Sequence, residues 1–385
     1  MLGRLLLSLA AVLIALGAAI YPTLNIFGIL RAPISFNNEE CVTISGMEAC
    51  EDAWVDRRLG FGYLPCSNIH SRTVWTPALG RLNASALPSF STDHITLLSL
   101  TAPYSHQRLK IVGLPDEARG LWVHGIEVWQ DPSDPAALTL FLVSHRPPTD
   151  RASSQAVGAD SVIEIFRTRA GDNELRWVRT VKHDLLKTPN SIAATGPTSF
   201  YVSNDHAHKF HWTRAINHYV TMRSEIIYCD VSGVGANCKV AVDGQIHPNG
   251  LVRGNNGLIY SAPTYRGGVV VFKRNKDHTL QLVDDIKSSY PVDNLRLDAD
   301  TGDVYTAAFT KGHLFDAATT SEGVAAGNRS PVESWKVVQN NNGKHTISRA
   351  FADPGKKVSA STTAAPFGDK ILFTGGQDAS VTPAV

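Results

Sequence analysis

Polar side chains recur along this chain, each a short way upstream of an apolar run. Glu51 and Asp52 precede Phe61–Cys66, His124 precedes Leu140–Ser144, and Asn190 precedes Phe200–Ser203. Asn249 stands before Leu258–Ser261, Asp293 and Asn294 before Val304–Thr306, and Ser361 and Thr362 before Ile371–Thr374. Calcium takes its ligands from carboxylates, amides, backbone carbonyls and water. Glu51, Asp293, Asn190, Asn249 and Asn294 would fill most of one such shell and leave the ion able to polarise a substrate oxygen. Zinc or copper would want His or Cys, which the set lacks. Taken singly each Asn is also a turn former, the one in Asn249-Gly250 above all. Only convergence of the five gives the set chemical meaning.

His124 opens one unit, and His145 ends the next strand of the same unit. Antiparallel pairing would bring the two rings to one end of a sheet, where a neutral imidazole oriented by a second takes a proton from water. Either His alone reads equally well as a structural residue. Two other clusters compete for attention. His206, His208 and His211 resemble transition-metal ligands but read as a loop at the rim. Asp298–Asp303 resembles the start of a calcium loop, lacks the downstream Glu, and reads as a hairpin turn. There is no Gly-x-Ser-x-Gly, no His-Glu-x-x-His and no phosphate loop, so serine-hydrolase, zincin and nucleotide chemistries lose their usual support.

A repeated unit must position these residues. Second runs follow most of the first: His94–Leu100, Ser161–Phe166, Ser224–Cys229, Val269–Phe272 and His313–Phe315. Each couple reads as an antiparallel hairpin, and further runs such as Leu175–Thr180 and Leu280–Val283 follow. Units of this size cannot bury their own apolar faces and therefore stack. About four strands per unit and six units is the arithmetic of a six-bladed β-propeller, an all-β fold. The segment around His211 to Arg223 is the one expected to form a short helix or lid. The 385 residues, 43% of them hydrophobic, support a large core, and 30 Gly with 20 Pro suit many turns. A formal charge of +1 with no basic stripe argues against a nucleic-acid partner.

Residues 1–32 stand apart from the remainder, 33–385. Arg4 precedes an apolar run from Leu5 to Ile20 with small residues at Gly17–Ala19, and a second patch follows through Leu24, Ile26, Phe27, Ile29 and Leu30. This is a secretory signal or a membrane anchor helix, which puts the rest of the chain in the lumen or outside the cell. The five cysteines suit that compartment. Cys229 and Cys238 flank a Gly-rich loop and are expected to pair; Cys41 and Cys50, at the same separation, are a second candidate pair. Cys66 is then left as a small buried hydrophobe. Asn83 and Asn328 lie in glycosylation sequons, the second followed by Pro331.

At these residues the chain resembles the serum paraoxonase/arylesterase family. The resemblance rests on Glu51-Asp52, His124–Ile126, Ser144-His145, Thr188–Asn190, Ser203–His206, Pro248–Gly250, Val292–Asn294 and Thr301–Asp303, in that order along nearly all of the chain after Cys41. It implies a six-bladed propeller with two calcium ions in its tunnel, and calcium-dependent hydrolysis of lactones and aryl esters, in some members also of organophosphate triesters. By position it implies Glu51, Asn190, Asn249, Asp293 and Asn294 as ligands of the catalytic calcium. Asp52 and the carbonyl of Ile126 would hold a deeper, structural calcium, and His124 would be the water-activating base with His145 as its partner.

Three departures stand out. Ser191 occupies the position of a family Asp that serves the structural calcium. Phe309 stands where some members carry an active-site His. Pro383 falls near a family Cys that bridges to the N-terminal one, so the propeller is expected to close by strand pairing alone. Trp122, Phe210, Trp212 and Phe309 are expected to form an apolar rim suited to lactones or aromatic esters. Two other readings stay open: a non-catalytic, calcium-stabilised binding propeller, and a gluconolactonase-like or strictosidine-synthase-like enzyme.

Overall fold

The strand Asp134–Arg146 shows why its sequence is apolar at nearly every position. Leu138, Leu140 and Leu142 pack on one face with Tyr63, Leu97 and Ile126, whereas Phe141 and Val143 pack on the other with Phe200, Val202 and Ile227. Alternate side chains of one strand thus feed two cores, one toward the preceding sheet and one toward the next. Coverage of both faces removes the polar alternation that a half-exposed strand would show.

The computed structural model describes residues 17, 21, 24–210, 214, 223–375 and 379–383, the last stretch as backbone only. The first strands of the sheets are β1 (Trp54–Asp56), β2 (Val123–Asp131), β3 (Pro189–Gly196), β4 (Pro248–Arg253), β5 (Val292–Leu297) and β6 (Ser361–Phe367). Each touches its neighbour in chain order, and β6 returns to β1, which closes a ring. The fold is an all-β propeller. Among the described residues the regular four-stranded blade occurs five times, where the sequence suggested six; the sheet that begins with β2 has five strands instead. Its extra strand, Lys110–Val112, lies parallel to the outer strand Glu174–Val181. The chain ends meet in one sheet, where Val42–Ile44 pairs antiparallel with Ala379–Pro383.

Two expectations need correction. The run His313–Phe315 belongs to a helix, Gly312–Thr319, and the third strand of that sheet is Val332–Gln339. Phe315 and Ala318 are its buried residues, a three-residue spacing that belongs to a helix face. Cys50 pairs with Cys66 rather than Cys41, while Cys229–Cys238 forms as expected. An antiparallel bridge holds Cys50 opposite Cys66 with Cα atoms 3.8 Å apart, and Cys41 packs in a different core. Burial pushes the Cys41 thiol up to about 11.

Most of the apolar leader lies outside the described residues, as do His211, Trp212 and the expected helix apart from Arg214 and Arg223. Among the described residues no helix is long and apolar enough to cross a membrane. The end of the 1–32 segment packs on the ring: Phe27 meets Tyr265 at 5.3 Å, and Arg31 lies over Tyr290 at 3.7 Å. Asn83 and Asn328 are both exposed, but Ser330 of the second sequon is buried.

Candidate active site

One backbone irregularity recurs at the entrance of four inner strands. In β3, Pro189 faces Asn204 and Ile192 faces Val202, so Asn190 and Ser191 together oppose Ser203 alone. The same two-against-one bulge carries Asn249 and Gly250 in β4, Asp293 and Asn294 in β5, and His124 and Gly125 in β2. A bulge re-aims the side chains it carries. Here the polar residues gather at one end of the tunnel. The spacing leaves no room for a side chain on the second bulge residue of β4, where a Cβ on Gly250 would lie 2.5 Å from the Asp293 carbonyl oxygen.

Glu51, His124, Asn190, Asn249 and Asp293 line a cleft of roughly 570 Å³, with Asp205, His206, Phe309, Phe315 and Thr362 around them. Four oxygens of the expected calcium set are buried without a hydrogen-bond partner: Glu51 Oε2, Asn190 Oδ1, Asn249 Oδ1 and Asn294 Oδ1. Their companion atoms are engaged. Asn294 Nδ2 donates to Glu51 Oε1 at 3.0 Å, and Asn190 Nδ2 donates to Asp205 Oδ2 at 3.3 Å. Burial first, then the charge of Asp52, pushes the Glu51 carboxyl up to about 8. Burial, then Glu51 and Asp52, holds Asp293 well above the carboxylate range. Orphaned acceptors beside crowded buried acids are costly unless a cation satisfies both. The donor set therefore fits one calcium ion, mostly through amide oxygens. Among the described residues no group of three His, Cys, Asp or Glu side chains is placed to hold a metal; His211 of the histidine cluster lies outside them.

His124 and His145 face each other with ring centroids 4.9 Å apart. Both ring nitrogens of His124 lack hydrogen-bond partners, and Nε2 lies 3.8 Å from Glu51 Oε1. Burial first, then its neighbour His145, keeps His124 well below the usual histidine value, and burial lowers His145 to about 4. Both rings are neutral at pH 7, the form that accepts a proton.

The deeper set behaves differently. Asp52 Oδ2 and the Ile126 carbonyl oxygen, both assigned to a second calcium, receive the Arg296 guanidinium instead, the latter at 2.7 Å. The Ser191 hydroxyl is turned to the backbone of Leu251, whose N–H donates to it at 3.0 Å. The residues of this set do not fit a second ion. Trp122 is buried beside Trp75 and is not a rim residue; Phe210 is 42% exposed and Phe309 lines the cleft against Phe315.

Sequence reasoning passed over Asp205, Thr264 and Ser161. Asp205 and Thr264 share a signal: each follows the second strand of its blade, the position at which antiparallel pairing returns the chain to the bulge. Asp205 binds His206 Nδ1 at 2.8 Å, and this imidazole, together with Arg214, outweighs burial and holds its carboxyl low.

A family model described as Arylesterase matches residues 80–379. The chain belongs to the arylesterase family. The matched span takes in His124, His145, Asn190, Asn249, Asp293 and Asn294; Glu51 and Asp52 lie ahead of it. Serum paraoxonase/arylesterase 2 from Gallus gallus is 27% identical over 254 residues, and that from Homo sapiens 26% over 254. Each alignment covers 65% of this chain, and the chain spans only 65% of the length of these relatives. Among solved structures, the Malassezia sympodialis allergen Mala s 1 superposes with a TM-score of 0.52 at 11% identity, covering 87% of this chain and 92% of its own. A glucose dehydrogenase gives 0.51 at 11% identity, covering 90% and 100%. At such identities the likeness of this arylesterase-family chain to either concerns the fold alone.

Proposed function

We propose that this chain is a calcium-dependent hydrolase of aryl esters and lactones. The four buried, unpartnered oxygens of Glu51, Asn190, Asn249 and Asn294 carry the reading: Glu51, Asn190 and Asn249 line one cleft with His124, and Asn294 is hydrogen-bonded to Glu51 beside it. Family membership supports the reaction class. We also read the five-stranded sheet as a blade of the same ring, which gives six, and the leader with the two disulfides as marks of the secretory pathway, whether secreted or membrane-anchored.

Calcium bound by Glu51, Asn190, Asn249, Asp293 and Asn294 would supply Lewis-acid polarisation of the substrate carbonyl. His124 accepts a proton from water as the water oxygen attacks the carbonyl carbon, and returns it to the leaving oxygen when the ester C–O bond breaks. His145 supports that ring, anchored through Nδ1 by a 2.8 Å hydrogen bond with Ser161. Next to the cleft lies an apolar space of roughly 470 Å³ lined by Ile69, Leu79, Phe315 and Val324. It suits the hydrocarbon part of an ester or lactone.

The test is hydrolysis of phenyl acetate and of γ- and δ-lactones with calcium and with EDTA. Turnover that vanishes in chelator and returns with calcium upholds the reading, as does its loss in Asn249→Ala. Turnover that survives chelation rules out the metal mechanism. Calcium binding without turnover of any ester or lactone would leave a binding module.

A further inference from the structure

We propose that Arg296 is a built-in counter-cation that closes the deeper oxygen set to calcium, so that this chain holds at most one exchangeable divalent ion in its tunnel. The proposal concerns the lower set and does not need the hydrolase reading of the upper one. Arg296 lies on β5, two residues and one pleat below Asn294, and is 3% exposed. Its Nε donates to Asp52 Oδ1 at 3.1 Å, and Nη2 donates to Asp52 Oδ2 and to the Ile126 carbonyl. Nη1 donates to Glu127 Oε2 at 3.1 Å. The side chain therefore spans the tunnel from β5 to β2, which stand on opposite sides of the ring, and ties both to the segment before β1.

Two features leave no place for a metal ion beside it. Asp52 already accepts from five donors: Ala53 N, Thr363 Oγ1 and Arg296 Nε on Oδ1, and Ile126 N and Arg296 Nη2 on Oδ2. A carboxylate has about four lone-pair sites, so nothing remains for calcium. A divalent ion on the same oxygens would also sit against the guanidinium charge in a buried site, where repulsion is strong. The planar fork of an arginine suits this paired demand of one carboxylate and one carbonyl. Below Arg296 opens a cavity of roughly 1080 Å³ that includes Glu127, Arg253 and Gln130, so the same side chain also forms the floor between the two ends of the tunnel.

The test counts calcium per chain by mass spectrometry after equilibration in excess calcium, for the wild type and for Asn249→Ala, which impairs the upper set. At most one ion in the wild type, with none retained by Asn249→Ala, upholds the proposal. Two ions in the wild type, or one still held by Asn249→Ala, overturn it. No ion in either protein would leave the arginine assignment standing and sink the calcium reading of the upper set. Arg296→Met gives a second measure: its melting temperature is expected to fall by about 5 °C and to recover in part with calcium, as one more ion binds than in the wild type. An unchanged melting temperature with an unchanged ion count overturns the proposal. Should this variant not fold, the wild-type and Asn249→Ala counts decide alone.

Discussion

The imidazoles of His124 and His145 sit on adjacent strands with planes inclined by 53°, and they differ in one respect: His145 is tethered and His124 is not. Ser161 holds His145 Nδ1, whereas neither nitrogen of His124 has a partner. The tethered ring is a positioning residue, and the free ring is the one able to exchange a proton. His124→Gln is therefore expected to lower kcat for phenyl acetate by about 10²–10⁴-fold with calcium binding unchanged. Ser161→Ala should lower kcat by roughly tenfold or less, since it loosens His145 without removing a proton acceptor. Equal losses in the two variants would contradict this division of roles.

Burial of His145 should weaken the fold on acidification through the histidine range, against the raised Glu51 and Asp293 carboxyls, which act in the opposite sense. Burial holds His145 near 4 in the fold against an ordinary 6.5, so between these values the unfolded chain binds a proton that the folded chain does not. The contribution is fully present above pH 6.5 and is lost as pH falls toward 4, on the order of 3 kcal/mol from this residue. Urea midpoints measured from pH 7 to 4 should show this decline as a difference between the wild type and His145→Gln, which lacks it. The same pH dependence in the wild type and in His145→Gln would refute the assignment.

Much of this arrangement was legible in the sequence, and the reason is the propeller's repetition. Each inner strand after β1 carries a polar residue at its first or second position, so Asn190, Asn249 and Asp293 announce themselves against their surroundings. Leu140 and Phe141 gave no clue to which core each enters, because a strand covered on both faces hides its alternation. The fifth strand of the sheet around β2, Lys110–Val112, was not read because it comes from the preceding connection, outside the hairpin period. Arg296 was missed because an arginine inside a strand reads as a solvent-facing residue. Its burial depends on carboxylates at positions 52 and 127, which no local pattern relates to it. The Cys50–Cys66 bridge was missed for a similar reason: equal spacing suggested Cys41 with Cys50, but strand pairing decides which thiols meet.

That bridge makes a further prediction. Closing the loop between Cys50 and Cys66, separated by 16 residues, stabilises the fold by about 3 kcal/mol through the unfolded chain. The pair Cys50→Ala/Cys66→Ala should lose about that much, while Cys41→Ser should stay near the wild type. Alkylation of the denatured, unreduced protein should label Cys41 and no other cysteine. Label on Cys50 or Cys66 would show a different pairing.

The close approach of β2 and β3 gives the sharpest stability test. A Cβ on Gly125 would enter the carbonyl oxygen of Asn190, a backbone atom of the neighbouring bulge that cannot turn aside. Gly125→Ala must push β2 and β3 apart at the ring axis, where every inner strand is held by two neighbours. The substitution is expected to cost about 3 kcal/mol or more, at the upper end of what overpacking exacts. It should also weaken calcium binding, because Asn190 moves with its own carbonyl. Gly233→Ala, in an exposed loop with nothing near the added methyl, serves as the control and should lie within about 0.5 kcal/mol of the wild type. Thermal melts of the two variants check the difference, and a Gly125→Ala protein as stable as the control would mean that the inner strands do not approach as closely as the ring requires.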